Sequence, residues 1–165
     1  MKLYLSSYRF GNNPQSLADL VAENKKIARR QALKMLKVCE VLPGVVSPVD
    51  VFNQLEDVRN SDKENFVVFF LNTQNDIIGK EIVSIGTLNT SLVHPREVFR
   101  TAIIKNCAAI IVAHNHPSGS LEPSSEDLAV TTRLKESGKL LGIELLDHVI
   151  VTKESCNSFR ENHLM

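Results

Sequence analysis

Short apolar runs and segments of helical spacing alternate along the second half of the chain. The run "FVVFFLN" (66–72) is apolar almost throughout, as suits a central strand buried on both faces. "TQND" supplies a turn, and "IIGKEIVSIGTLN" pairs back as a longer strand interrupted by Gly79 and Gly86. His94-Pro95 opens a helix through "REVFRTAIIKN", and "AAIIVA" reads as a second buried strand. Ser124 starts a further helix that the pattern carries to about Gly138, and "GIELLDHVIVT" gives the last expected strand. Such alternation predicts a mixed α/β fold with one central sheet and helices packed against it.

The first half is less regular. "MKLYLSS" alternates like a short strand, "YRFGNNP" is a turn, and "PQSLADLVAE" has helical spacing with Leu17, Leu20 and Val21 on one face. Lys25, Lys26, Arg29, Arg30, Lys34 and Lys37 then form a basic stretch, with Ile27, Leu33 and Leu36 as the apolar stripe of the same helix. "LPGVVSP" is a linker signal. Ser47 follows as an N-cap, with Pro48 and Asp50 at the first and third helical positions.

Composition narrows the classes. At 165 residues the chain holds one domain with a short appendage, and its formal net charge of zero does not favour nucleic acid or a charged membrane. No apolar run approaches the ~20 residues of a membrane span, and the N-terminus lacks the pattern of a signal peptide. Cys39, Cys107 and Cys156 are too few and too scattered for a disulfide framework, so a reduced, cytoplasmic setting is expected, with Cys107 simply buried.

The candidate chemistry lies in "HNHPSGSLEPSSED" (114–127). Residues i and i+2 of an extended segment share a face about 7 Å apart, so His114 and His116 aim at one point. "PSGSLEP" reverses the chain, and Ser124-x-x-Asp127 has the capping pattern of a helix start, which turns Asp127 back toward the histidines. Two imidazoles and a carboxylate are the three protein ligands of a catalytic zinc site, with the fourth position left to water. Hydrolysis of an amide is the chemistry that suits it. The plainer alternatives are surface histidines and an acid that merely complements the helix dipole.

From about Arg29 onward the chain resembles the RadC-type branch of the JAB/MPN (JAMM) metalloproteins. The resemblance rests on "FVVFFLNTQNDIIGKEIVSIGTLNTSLVHPREVF", "AAIIVAHNHPSGSLEPSSEDLAVTTRLKESGKLLGIELLDHVIV" and "SFRE". The family motif, His-x-His, seven residues, Ser, two residues, Asp, is met by His114, His116, Ser124 and Asp127. The resemblance implies a JAMM-type fold with Zn2+ on His114, His116 and Asp127. It also implies an upstream glutamate as general base, which Glu64 matches by order along the chain, with Glu81 and Glu97 as rivals. Ser124 would then donate to the developing oxyanion, beside or instead of N-capping. His148, also in the family pattern, reads as a satisfied core histidine, with orienting a ligand or lining the cleft as alternatives. His94 is read as a helix start, and His163 carries no argument.

Residues 1–28, "MKLYLSSYRFGNNPQSLADLVAENKKIA", resemble instead the N-terminus of the dipeptidase E family, without the regions that would supply its serine and histidine. The expected division is therefore an appendage over 1–28, a basic helix and linker over 29–44, and a RadC-like domain over 45–165, with a seam near Ala28–Arg29. Three functions compete: a zinc metallohydrolase acting on a peptide or isopeptide, a DNA-repair-associated nucleic-acid binder supported only by the basic stretch, and a catalytically silent MPN scaffold. Homo-oligomerisation is left open.

Overall fold

The computed structural model describes residues 47–86 and 93–165, together with Lys25, which is exposed. The expected strand and helix of residues 1–28, the basic helix beyond Lys25 and the end of the "GTLN" segment lie outside the described residues.

Two short helices come first, α1 (Pro48–Asn53) and α2 (Glu56–Arg59). Ser47 caps α1 as expected: its N–H and hydroxyl donate to Asp50 Oδ2 at 2.9 and 3.0 Å. Then follow β1 (Asn65–Leu71), β2 (Ile77–Ile85), α3 (Pro95–Ile104), β3 (Ala109–Asn115), α4 (Ser125–Leu141), β4 (Glu144–Val151) and β5 (Cys156–Ser158). The sheet runs β2-β1-β3-β4-β5, with β3 and β4 parallel and the other neighbours antiparallel. This is a mixed α/β fold with a central mixed sheet and flanking helices, as the alternation predicted.

The strand pleat sorts the core into two layers. Phe66, Val68 and Phe70 of β1 share a cluster with Ile110 and Val112 of β3, and with Val98, Phe99, Val130 and Leu134 of α3 and α4. Val67, Phe69, Leu71, Ile111 and Ala113 cluster with Val51 of α1, Leu55 before α2 and Val58 of α2 on the other side. Both faces of β1 and β3 are thus covered, which accounts for their unbroken apolar runs.

Two expectations change. Helix α4 passes Gly138 and ends at Leu141, where Gly142 takes a left-handed C-cap with φ of 70°. Gly138 is instead a packing glycine, since a Cβ there would run into the Ile143 carbonyl oxygen. The last strand is also not "GIELLDHVIVT", because the three-residue β5 follows and pairs with β4.

Candidate metal centre

His114 is the sixth residue of β3, on the α3/α4 face, in register with Phe66 on one side and Ile150 on the other. His116 lies just past the strand, its N–H held by the Val151 carbonyl at 2.9 Å. The chain then turns, Gly119 donating to the His116 carbonyl at 3.0 Å with φ of 81°, a value that favours glycine. The Asn157 side chain holds the Leu121 carbonyl of this loop at 2.7 Å. At the far end Ser124 caps α4. Its hydroxyl accepts from Asp127 N at 3.1 Å and donates to Asp127 Oδ2 at 2.7 Å, while Ser124 N donates to the same oxygen at 2.8 Å.

These elements bring three ligand atoms together. His114 Nε2 and His116 Nε2 are 2.9 Å apart, Asp127 Oδ1 is 3.2 Å from the first, and Asp127 Oδ2 is 3.7 Å from the second. His114 and Asp127 are buried, and His116 is largely so. Together the three form a cluster able to hold a metal ion.

Their hydrogen bonds fit that role. His116 Nδ1 meets the Ser120 carbonyl at 2.8 Å, and a carbonyl only accepts, so Nδ1 carries the proton and the neutral ring leaves Nε2 bare. Asp127 Oδ1, despite its nearness to His114, is the one buried side-chain oxygen or nitrogen among the described residues without a hydrogen-bond partner. A bare nitrogen and an orphaned carboxylate oxygen, both desolvated and convergent, ask for a cation.

The electrostatics agree. Burial pushes the Asp127 carboxyl up, but the adjacent His114 and His116 imidazoles and the Ser124 hydroxyl outweigh it and hold the group well below the usual carboxylate range. Asp127 in turn raises His116 above its ordinary value, and the charge of Glu64 adds to the effect. His148 is fully buried, 2.8 Å from His114 Nδ1 through Nε2 and 2.6 Å from Thr131 Oγ1 through Nδ1. Burial, then the neighbouring His114, hold it well below the ordinary histidine value and therefore neutral.

His116 and Asp127 of the cluster line a cleft of about 350 Å³ together with Glu64, Ser118, Ser120, Glu122, Ser124 and Glu126, while His114 is fully buried. Glu64, half-buried, precedes β1, and its carbonyl is held by Gly86 N at 2.8 Å. Neither rival glutamate lines the cleft. Glu81 is exposed on β2, and Glu97 is exposed in the first turn of α3, where it pairs with Arg96 at 3.2 Å. His94 is the N-cap of α3, its Nδ1 accepting from Arg96 N at 3.1 Å. Cys107 is buried, with its thiol pushed up by that burial. A larger hollow of about 560 Å³ lies among α1, Ile111 and Arg160, but its buried acid, Asp147, is already engaged by Ser158 and by the N–H groups of His148 and Arg160.

Two contributors escaped the sequence reading. Asn115, between the histidines, bonds the segment that carries Glu64. Thr131, one turn beyond Asp127, bonds both the Asp127 carbonyl and His148. Only their spacing to the ligands could have flagged them.

The fold and site define an α/β domain with a His-His-Asp cluster able to hold a metal ion. The family follows from comparison: residues 45–164 match the RadC-like JAB domain, and the chain belongs to that family. A UPF0758 protein of Rubrobacter xylanophilus is 54% identical over 110 residues, 66% of this chain and 48% of the relative. One from Caldanaerobacter subterraneus is 56% identical over 109 residues, 66% and 47% respectively. One from Desulfitobacterium hafniense is 48% identical over 126 residues, 76% and 56%. The chain spans about half the length of the curated relatives it matches. The family match does not reach residues 1–28, whose resemblance to dipeptidase E finds no support in it. Among the described residues, no helix is long and apolar enough to cross a membrane.

Proposed function

We propose that the chain is a zinc-dependent hydrolase of the JAMM type that directs water at an amide or isopeptide carbonyl. His114, His116 and Asp127 are the ligands, Glu64 the general base and Ser124 the oxyanion donor. The observation that carries this is the orphaned Asp127 Oδ1 beside two convergent Nε2 atoms, in a cluster whose His116 and Asp127 line a cleft with Glu64. Zinc held there would acidify water toward a pKa of about 7 and polarise a carbonyl.

The remaining steps belong to the chain. Glu64 takes a proton from water and returns it to the leaving group, a role that its half-buried position on the cleft wall supports. The Ser124 oxygen keeps the cap by accepting from Asp127 N, while its proton is offered to the developing oxyanion. Such a contact is often worth roughly 3 kcal/mol. In this structure that hydroxyl rests on Asp127 Oδ2, so donation to substrate requires it to turn.

The family match begins at residue 45, which supports placing the hydrolase domain over 45–165, after a segment over 1–28 and a basic stretch and linker over 29–44. We also retain the cytoplasmic assignment as part of the proposal. No observation among the described residues favours nucleic-acid binding, and the complete ligand set speaks against a silent scaffold.

The test is the zinc content of the purified protein beside Asp127→Ala, followed by a screen of peptides and isopeptides. Near-stoichiometric zinc, lost in the variant, is expected. A protein that takes up no added zinc overturns the hydrolase in favour of the scaffold, and full activity in Glu64→Gln removes the base.

A further inference from the structure

Three buried contacts run from one ligand to another behind the metal centre. Thr131 Oγ1 lies 2.6 Å from the Asp127 carbonyl oxygen and 2.6 Å from His148 Nδ1, and His148 Nε2 lies 2.8 Å from His114 Nδ1. His114, His148 and Thr131 are all buried, so water does not compete.

Elementary donor and acceptor counting orders the protons. Two oxygens at 2.6 Å need a hydrogen between them, and the Asp127 carbonyl has none to give. The Thr131 hydroxyl therefore donates to that carbonyl. Its only proton being used, Thr131 accepts from His148, so His148 carries its proton on Nδ1. His148 Nε2 is then an acceptor, His114 donates to it from Nδ1, and His114 Nε2 is left bare. The opposite order would set two oxygen lone pairs against each other at 2.6 Å. It would also place a proton on His114 Nε2, aimed at His116 and Asp127, where it would block the ligand position.

We propose that His148 and Thr131 are positioning residues: they lock His114 in the tautomer that presents Nε2 to the metal, and they tie that ring to the first turn of α4, which carries Asp127. Two of the three ligands are thereby joined in one hydrogen-bonded chain, His114 to His148 to Thr131 to the Asp127 carbonyl. Outer partners of this kind typically contribute about 10- to 100-fold in metal affinity. The proposal rests on the ligand assignment above, while the order of the chain is set by Thr131 Oγ1 and the Asp127 carbonyl oxygen, which lie behind the ligand atoms.

The experiment has two readouts. Nitrogen-15 NMR of the zinc-free protein, at a pH where its imidazoles are neutral, is expected to show His148 and His114 both protonated on Nδ1. Protonation of His148 on Nε2 overturns the proposal. Zinc affinity by chelator competition is expected to fall roughly 10- to 100-fold in Thr131→Val and to stay within about threefold in Thr131→Ser. Unchanged affinity in a folded Thr131→Val also overturns it. If that variant does not fold, the NMR result on the unaltered protein decides. If the unaltered protein takes up no zinc, the hydrolase reading fails, while the NMR still reads the relay.

Discussion

The Asn115 side-chain carbonyl accepts the backbone N–H of Asn65 at 2.7 Å, while its amide nitrogen reaches the Lys63 carbonyl at 3.0 Å and the Ser61 carbonyl at 3.3 Å. Successive strand residues face opposite ways, so the same three-residue stretch points His114 at the metal centre and Asn115 at the segment bearing Glu64. Strand β3 thus sets both His114, the proposed ligand, and the residue before β1 proposed as base.

Asn115→Ala follows directly. It leaves the buried Asn65 N–H and the Lys63 carbonyl without this partner, a loss of roughly 1–3 kcal/mol. The expected result is a lower melting temperature with zinc affinity within about threefold of the parent, because the ligands lie on the other face. Zinc lost in step with stability would show that Asn115 supports the ligands instead.

Gly138→Ala tests the packing glycine of α4. Alanine ordinarily gains about 1 kcal/mol over glycine inside a helix. Here the added Cβ would run into the Ile143 carbonyl oxygen and lie 3.2 Å from the Phe99 ring. The backbone contact cannot relax cheaply, so we expect net destabilisation of about 1–3 kcal/mol by denaturant unfolding. A stabilised variant would mean that α4 shifts readily on the sheet.

The elements were legible where periodicity alone decides. The places of β1 and β3 follow from their apolar runs, and the capped starts of α1, α3 and α4 and the convergence of His114, His116 and Asp127 follow from spacing. Gly138 misled because a glycine near a helix end reads as a stop, and only the neighbouring Ile143 carbonyl shows its other use. The three residues of β5 carry too little pattern to be seen. His148 was hardest, because Ile110 pairs with Leu145 but Ile111 with Asp147. The bulge at Leu146 reverses the alternation of β4 and turns His148 to the face of His114. Without that extra residue the imidazole would lie on the other side of the sheet.

Ser124→Ala separates capping from positioning. The hydroxyl both accepts from Asp127 N and donates to Asp127 Oδ2. Loss of the cap costs about 1 kcal/mol, and an Asp127 Oδ2 left with only the residue 124 N–H is expected to lower zinc affinity by about 10-fold. Ser124→Thr restores the hydroxyl and should recover both values. A drop in stability with unchanged zinc affinity would reduce Ser124 to a cap.

The pH dependence has opposite signs with and without metal. Asp127 raises His116 above 6.5, so in metal-free protein the protonated ring contributes stability that is full below the unfolded value and is lost as pH rises through the folded one. Asp127 itself is depressed, so its contribution is present above the unfolded 3.8 and is lost as pH falls toward its folded value. His148, held low and neutral by burial, contributes the reverse, a stability lost as pH falls below the unfolded 6.5, so melting temperature in chelator should peak near 6.5 and decline as pH rises from there toward alkaline values. Zinc requires the same imidazole without its proton, so its affinity should rise across that interval and reverse the decline. Thermal melts at matched pH, with chelator and with zinc, measure both slopes. Parallel slopes in the two series would mean that proton and metal do not compete at His116, and that the ligand set lies elsewhere.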